Sequence, residues 1–154
     1  MTIREILDPK AVKIDLEASD KKSALTELVD VLSEVYGLED KKNILRTLID
    51  RENLGSTGIG QGIAIPHGKA DKCNNLLAVF GISKKGVNFE ALDGELVYVF
   101  FLLLAPKEAA GPHLKALARI SRLLRDSYFC KQLRAAKTSQ QVHEMLLSEE
   151  AKLY

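Results

Sequence analysis

Between Arg51 and Lys69 the chain reads Arg-Glu-Asn-Leu-Gly-Ser-Thr-Gly-Ile-Gly-Gln-Gly-Ile-Ala-Ile-Pro-His-Gly-Lys, with Gly55, Gly58, Gly60 and Gly62 close together. Glycine at that density lets the backbone take positive φ and turn its N–H groups toward an anion. His67 stands between Pro66 and Gly68, so a fixed φ precedes the imidazole and open space follows it. Imidazole is a capable nucleophile near neutral pH, because a good fraction of it is uncharged. Attack on a phosphoryl group also needs compensation for the charge on its peripheral oxygens. Arg51, the Ser56 and Thr57 hydroxyls and Lys69 are near enough in sequence to supply it. The same residues also suit a structural turn whose histidine satisfies a backbone carbonyl, and the residues alone leave both readings open.

Nucleotide motifs do not fit this segment. From Gly62 to Gly68-Lys69-Ala70 five residues intervene where a P-loop has four, and Ala70 replaces the magnesium-binding Ser/Thr. Gly58 and Gly60 begin a GxGxxG, but Ile63 breaks it. A metal set of His67, His113 and a cysteine lacks any close-spaced ligand pair. Cys73 and Cys130 read as ordinary reduced thiols, and His143 as a surface or helix-flank residue without chemistry.

The elements that must position these residues follow from periodicity. Val12, Ile14 and Leu16 alternate as a strand, and Ala24 to Val35 form a helical stripe started by Ser19 or Asp20 and stopped by Gly37. Ile44, Leu45, Leu48 and Ile49 mark a second helix ending near Glu52. Strands are expected at 63–65, 76–82 and 96–104, with another around Val87 to Phe89 set off by turns at Lys85-Gly86 and Asp93-Gly94. Gly111-Pro112 opens a helix through Leu124, a short one surrounds Phe129 and Leu133, and Thr138 with Gln141 starts the last. Strand, two helices, several strands and three helices are buried most economically by a sheet with helices on both faces.

Composition bounds the partners. Among 154 residues Lys plus Arg number 22 and Asp plus Glu 21, for a net charge of +1, which argues against a dedicated nucleic-acid binder. The longest apolar run, Leu96 to Ala105, is far short of the ~20 residues of a membrane helix. With no linker or repeat, and charged Arg4 and Glu5 at the start, residues 1–154 read as one cytoplasmic domain without membrane insertion. Lys115, Arg119 and Arg122 share one helical face, either a solvated surface or a dock for an acidic protein.

The run at 55–69 resembles the active-site signature of the enzyme IIA domains of the bacterial phosphotransferase system, fructose/mannitol class. The similarity is strongest to the nitrogen-regulatory branch, and it extends along the chain to His113-Leu114-x-x-Leu117. The resemblance implies an α+β, three-layer α/β/α sandwich around a mixed sheet of about five strands. It places His67 as the acceptor of a phosphoryl group from HPr or its nitrogen-branch counterpart, His113 as the second active-site histidine, and Arg51 as a neutraliser of phosphoryl charge. Ser56, Thr57 and Lys69 remain physical candidates for phosphate contacts. No cofactor is expected, since the donor is itself a phosphohistidine protein. The group would pass to a IIB acceptor or act as a signal to a regulatory target. The rival reading is a non-catalytic binding protein whose partner choice follows its phosphorylation state.

Overall fold

In the computed structural model, which describes residues 1–154, the strands are β1 (Val12–Lys13), β2 (Gly58–Gly60), β3 (Ile63–Ala64), β4 (His67–Ala70), β5 (Leu77–Val87) and β6 (Val97–Pro106). The longest apolar run becomes the central strand: from Val97 to Ala105 every residue of β6 except Tyr98 is buried. A strand so uniformly apolar needs cover on both faces. On one side β5 pairs with it antiparallel, Phe80 opposite Phe101, and β1 lies parallel beyond β5. On the other side β3 and then β4 run parallel to β6 in succession, with Ile63 opposite Val99 and His67 opposite Leu103. β2 folds back antiparallel on β3 and closes that edge.

The helices are α1 (Ile3–Ile6), α2 (Lys21–Tyr36), α3 (Lys41–Asn53), α4 (Ala110–Leu124), α5 (Ser127–Ala135) and α6 (Ser139–Leu153). α2 and α3 cover one face. A Cβ on Gly81 would stand 2.8 Å from Leu16 Cδ1 and 2.9 Å from Leu28 Cδ2, so a bare glycine lets α2 lie close to β5. α4, α5 and α6 pack on the sheet's other side, and the result is the expected α/β/α arrangement around a mixed sheet, with six strands. No helix is long and apolar enough to cross a membrane.

Several local expectations are revised. The first strand pairs only at Val12–Lys13, although the Leu16 N–H still reaches the Ile82 carbonyl at 3.0 Å. Lys85-Gly86 is no turn: β5 runs through it to Val87 with a register shift, and Gly86 takes φ +90°. The glycine-rich segment contributes β2 and β4, neither expected from its composition. Thr138 accepts from the Gln141 N–H at 3.1 Å as the capping pattern requires, while the Gln141 amide oxygen accepts from Lys137 N–H. His143 is buried, its Nε2 donating to the Leu7 carbonyl at 3.0 Å, which corrects its placement on the surface. Arg119 and Arg122 are less free than the basic face implied, since both guanidinium groups stack on Tyr154.

The two ends of the chain are tied by one carboxylate. Glu150, with its side chain 7% exposed, accepts from the Ile3 N–H at 3.0 and 3.1 Å and from Arg119 Nε at 2.6 Å. Glu150→Ala removes the acceptor of a buried amide and of a guanidinium, and the expected loss is about 2–3 kcal/mol. Urea unfolding checks this: an unchanged midpoint would mean that α1 and α6 hold together without the clamp.

Candidate functional site

The chain enters the site along the edge of β6. The Ile65 N–H donates to the Thr57 carbonyl at 3.0 Å, the Pro66 carbonyl accepts from Leu103 N–H at 2.9 Å, and β4 begins at the next residue. Within β4 side chains alternate between faces. Gly68 faces α3, where an added Cβ would lie 2.9 Å from Thr47 Cγ2 and 3.5 Å from Leu48 Cδ2. His67 therefore projects to the opposite face, toward α4. Its ring meets that of His113 edge-on, with centroids 5.6 Å apart and planes at 70°.

His67 is held by one hydrogen bond whose direction is unambiguous. Nδ1 lies 2.7 Å from the Ile65 carbonyl oxygen, which can only accept, so Nδ1 carries the proton. The neutral ring then keeps its lone pair on Nε2. Burial is the main influence lowering the His67 pKa below the ordinary histidine range, with the Arg51 charge acting the same way. The Ile65 hydrogen bond and Glu52 oppose it without overcoming it. The carbonyl contact of the structural-turn reading is thus present, and it is also what orients an unprotonated Nε2.

His113 is only 7% exposed, in the first turn of α4, and its Nε2 is buried with no hydrogen-bond partner. Such a group is costly to leave unmade and marks a place to look for chemistry. No side chain caps α4, so its positive N-terminal end is left to whatever anion approaches His113. Burial first, then the charges of His67 and Lys69, hold the His113 pKa down to about 4. A base with a folded pKa below its unfolded value of about 6.5 binds fewer protons when folded. Its stabilising contribution is therefore complete above about pH 6.5 and falls away as the pH drops toward 4. Comparing urea midpoints of the protein and of His113→Gln across that window isolates the effect from the carboxylates both share. The profiles should converge toward low pH, and parallel profiles would contradict the assignment.

The turn leading into the site is clamped by two consecutive residues at the end of α3. Arg51 Nη1 donates to the Gly55 carbonyl at 2.9 Å. Glu52, 4% exposed, accepts from the Thr57 N–H at 3.0 Å and from the Thr57 hydroxyl, and Lys21 Nζ stands 3.6 Å from its carboxylate. Beyond the turn, Gly60, Gln61 and Gly62 all have positive φ, and Asp93 accepts from the Gln61 N–H at 3.1 Å. The glycine-rich segment is thereby fixed in place rather than left open as an anion cradle.

The six residues singled out from sequence are distributed unequally. His67 and His113 are brought together, while the Arg51 charge acts on His67 and that of Lys69 on His113. The Thr57 hydroxyl is turned away, buried against Glu52. Ser56 Oγ accepts from the Gly58 N–H at 3.0 Å, and keeps its own proton for another acceptor. Glu52 itself was not singled out. Its signal was present, since Ile44, Leu48 and Glu52 fall four apart on the buried stripe of α3, and a carboxylate there must find donors inside. No group of three His, Cys, Asp or Glu side chains converges as a metal site.

Against this fold and site, comparison with known proteins is direct. Residues 5–149 match the family model described as phosphoenolpyruvate-dependent sugar phosphotransferase system, EIIA 2, and the chain belongs to that family. A nitrogen regulatory protein of Bradyrhizobium diazoefficiens is 41% identical over 146 residues, 95% of each chain. The fructose-specific EIIABC component of Bacillus subtilis is 36% identical over 95% of this chain, which spans 23% of that longer protein. Among solved structures, nitrogen regulatory protein IIA-Ntr of Neisseria meningitidis superimposes with a TM-score of 0.86 at 32% identity, covering 94% of this chain and 98% of that one. The Escherichia coli IIAMTL chain, solved in complex with phosphorylated IIBMTL, shares the fold with a TM-score of 0.78 at 20% identity, covering 93% of this chain and 99% of that one.

Proposed function

We propose that residues 1–154 act as one cytoplasmic phosphocarrier unit, in which His67 Nε2 accepts a phosphoryl group from a phosphohistidine carrier of the HPr type. The observation that carries the reading is the 2.7 Å contact between His67 Nδ1 and the Ile65 carbonyl, which leaves Nε2 with the lone pair. As that pair forms the new N–P bond, the donor's N–P bond breaks and its electrons return to the donor ring. Three supports are arranged for the charge on the peripheral oxygens: the His113 side chain, the uncapped start of α4, and the Arg51 guanidinium, which would exchange the Gly55 carbonyl for the phosphoryl group. Lys69 adds longer-range positive charge, and the Ser56 hydroxyl is within the same turn.

A protein donor needs a surface to meet. Leu54, beside the Arg51 turn, and Leu114, next to His113, are 85% and 69% exposed. Apolar side chains bare on both flanks of a site suit a transient protein partner. The group then passes to a IIB-type acceptor, as the Escherichia coli complex illustrates for its own pair, or stays as a signal to a regulatory target. The 41% identity to a nitrogen regulatory protein favours the signalling use. There the added charge of about −1.5 to −2 decides which partner docks.

Incubation with phosphoenolpyruvate, enzyme I and an HPr-type carrier, followed by intact mass with and without acid, tests the reading. The expected product carries one acid-labile phosphoryl group. An unmodified chain with a donor system that labels its own IIA would refute phosphoryl acceptance and leave the purely binding role.

A further inference from the structure

The outer face of α4 carries a charge imbalance that the fold does not resolve. From Ala109 to Lys137 seven cations stand against one acid, Asp126. Glu150, reaching in from α6 to Arg119, offsets one more, and a positive excess remains. Lys115, Arg122 and Arg125 are exposed, and none of them is within ion-pair distance of a carboxylate. Ala116, Ile120, Leu123 and Leu124 turn into the core, so at 3.6 residues per turn Leu114, Ala118, Arg122 and Arg125 share the solvent side, with Lys115 on its flank. The stripe is about 16 Å long, apolar at Leu114 beside His113 and basic toward Arg125. The Arg122 guanidinium lies 5.0 Å from the centroid of the Tyr154 ring, which orders the side chain without consuming its charge.

We propose that this stripe is a docking surface for an acidic protein, whose carboxylates meet Lys115, Arg122 and Arg125 and whose apolar side chain covers Leu114. Charge complementarity sets the sign of the partner, since α4 holds no acid of its own to neutralise the three cations. Nucleic acid fits less well: three free cations neutralise few phosphates against the ~6–10 of a typical duplex binder. An anionic membrane calls for about 4–8 clustered cations, and Leu114 is the one large apolar side chain that α4 leaves bare for insertion. A bare apolar residue next to a charged border is instead the make-up of a protein interface. Arg122, ordered beforehand on Tyr154, gives up less freedom on binding.

The stripe begins at the histidine pair. Leu114 follows His113, whose ring centroid is 5.6 Å from that of His67. Lys69, two residues along β4 and so on the same face as His67, adds positive charge at that end. A phosphoryl group on His67 brings a charge of about −1.5 to −2 to the same end. It repels the carboxylates of an acidic partner, so the unphosphorylated protein is the binding form. That sign rests on the phosphocarrier reading, whereas the docking surface itself does not.

Amide 1H–15N titration of the unphosphorylated protein with an amphipathic peptide of repeating Glu-Glu-Leu-Glu tests the surface. The matched Lys-Lys-Leu-Lys peptide, a short duplex DNA and phosphatidylserine vesicles are run at the same salt. Saturable shifts centred on residues 111–125, produced by the acidic peptide and weakened by added salt, are expected. Lys115→Glu/Arg125→Glu should weaken that binding more than about tenfold and create binding of the basic peptide. Leu114→Ser, with every charge kept, should weaken it severalfold, and so should phosphorylation of His67. The surface is overturned by any of four results: no saturable shifts; shifts spread equally over Lys84, Lys131 and Lys137; equal or tighter binding of the DNA or the vesicles; or unchanged affinity in the folded charge-reversed variant. An affinity unaltered by a phosphoryl group verified by mass would overturn the coupling, and leave the surface and the carrier reading standing.

Discussion

His67→Ala is expected to lose phosphoryl acceptance altogether, a drop of more than about 10⁴-fold in rate, while keeping the fold. Neither of the other two histidines can substitute. His143 Nε2 is spent on the Leu7 carbonyl, and His113 Nε2 is buried, on a ring held to a pKa of about 4. The substitution removes one hydrogen bond to a carbonyl and an edge-on ring contact, worth about 1–2 kcal/mol together. The variant should therefore unfold only slightly earlier in urea and show no mass gain from a working donor chain. Residual acid-labile labelling of a folded His67→Ala protein would move the acceptor elsewhere.

Glu52→Ala should produce the largest loss of stability at the site, about 3–5 kcal/mol. It strands the buried N–H and hydroxyl of Thr57 and unpairs Lys21 in one change. Glu52→Gln keeps an oxygen for the Thr57 amide but gives up the charge that faces Lys21, and should cost about half as much. The kinetic consequence separates positioning from mere stability. If Glu52 holds the turn that Arg51 grips at Gly55, Glu52→Gln at a temperature where it is fully folded should slow phosphoryl transfer severalfold with little change in apparent donor affinity. Normal transfer by folded Glu52→Gln would make the residue purely structural.

How legible the fold was depended on where the information resides. The stripe Ala24, Leu25, Leu28, Leu32 and the apolar run of β6 carry their own periodicity, and both elements form where that periodicity lies. β2 and β4 do not. They consist largely of glycine, histidine and lysine, residues with weak strand preference; β2 pairs because the hairpin returns it along β3, and β4 because β6 offers an open edge to the chain leaving that hairpin. The Val12–Leu16 segment illustrates the reverse, since alternation continues to Leu16 while ladder pairing with β5 stops at Lys13.

The site was legible in part for a related reason. The Pro66-His67-Gly68 constraint is local, and Gly68 does provide the close approach of α3 that its lack of a side chain permits. The occupation of Thr57 by Glu52 spans a helix end and a turn, and the tie between His143 and Leu7 crosses nearly the whole chain. Neither contact leaves a mark in spacing, except that Glu52 and His143 each sit on the buried side of a helix, where a polar group must be bonded.

Which nitrogen of which histidine accepts the phosphoryl group can be read from 15N-resolved spectra of the three imidazoles before and after phosphorylation. Before the reaction His67 should be a neutral ring protonated on Nδ1 and bonded to the Ile65 carbonyl. Afterwards phosphorus coupling is expected at His67 Nε2 alone, with Nδ1 still protonated. Phosphorus coupled to His67 Nδ1, or to either nitrogen of His113, would contradict this assignment.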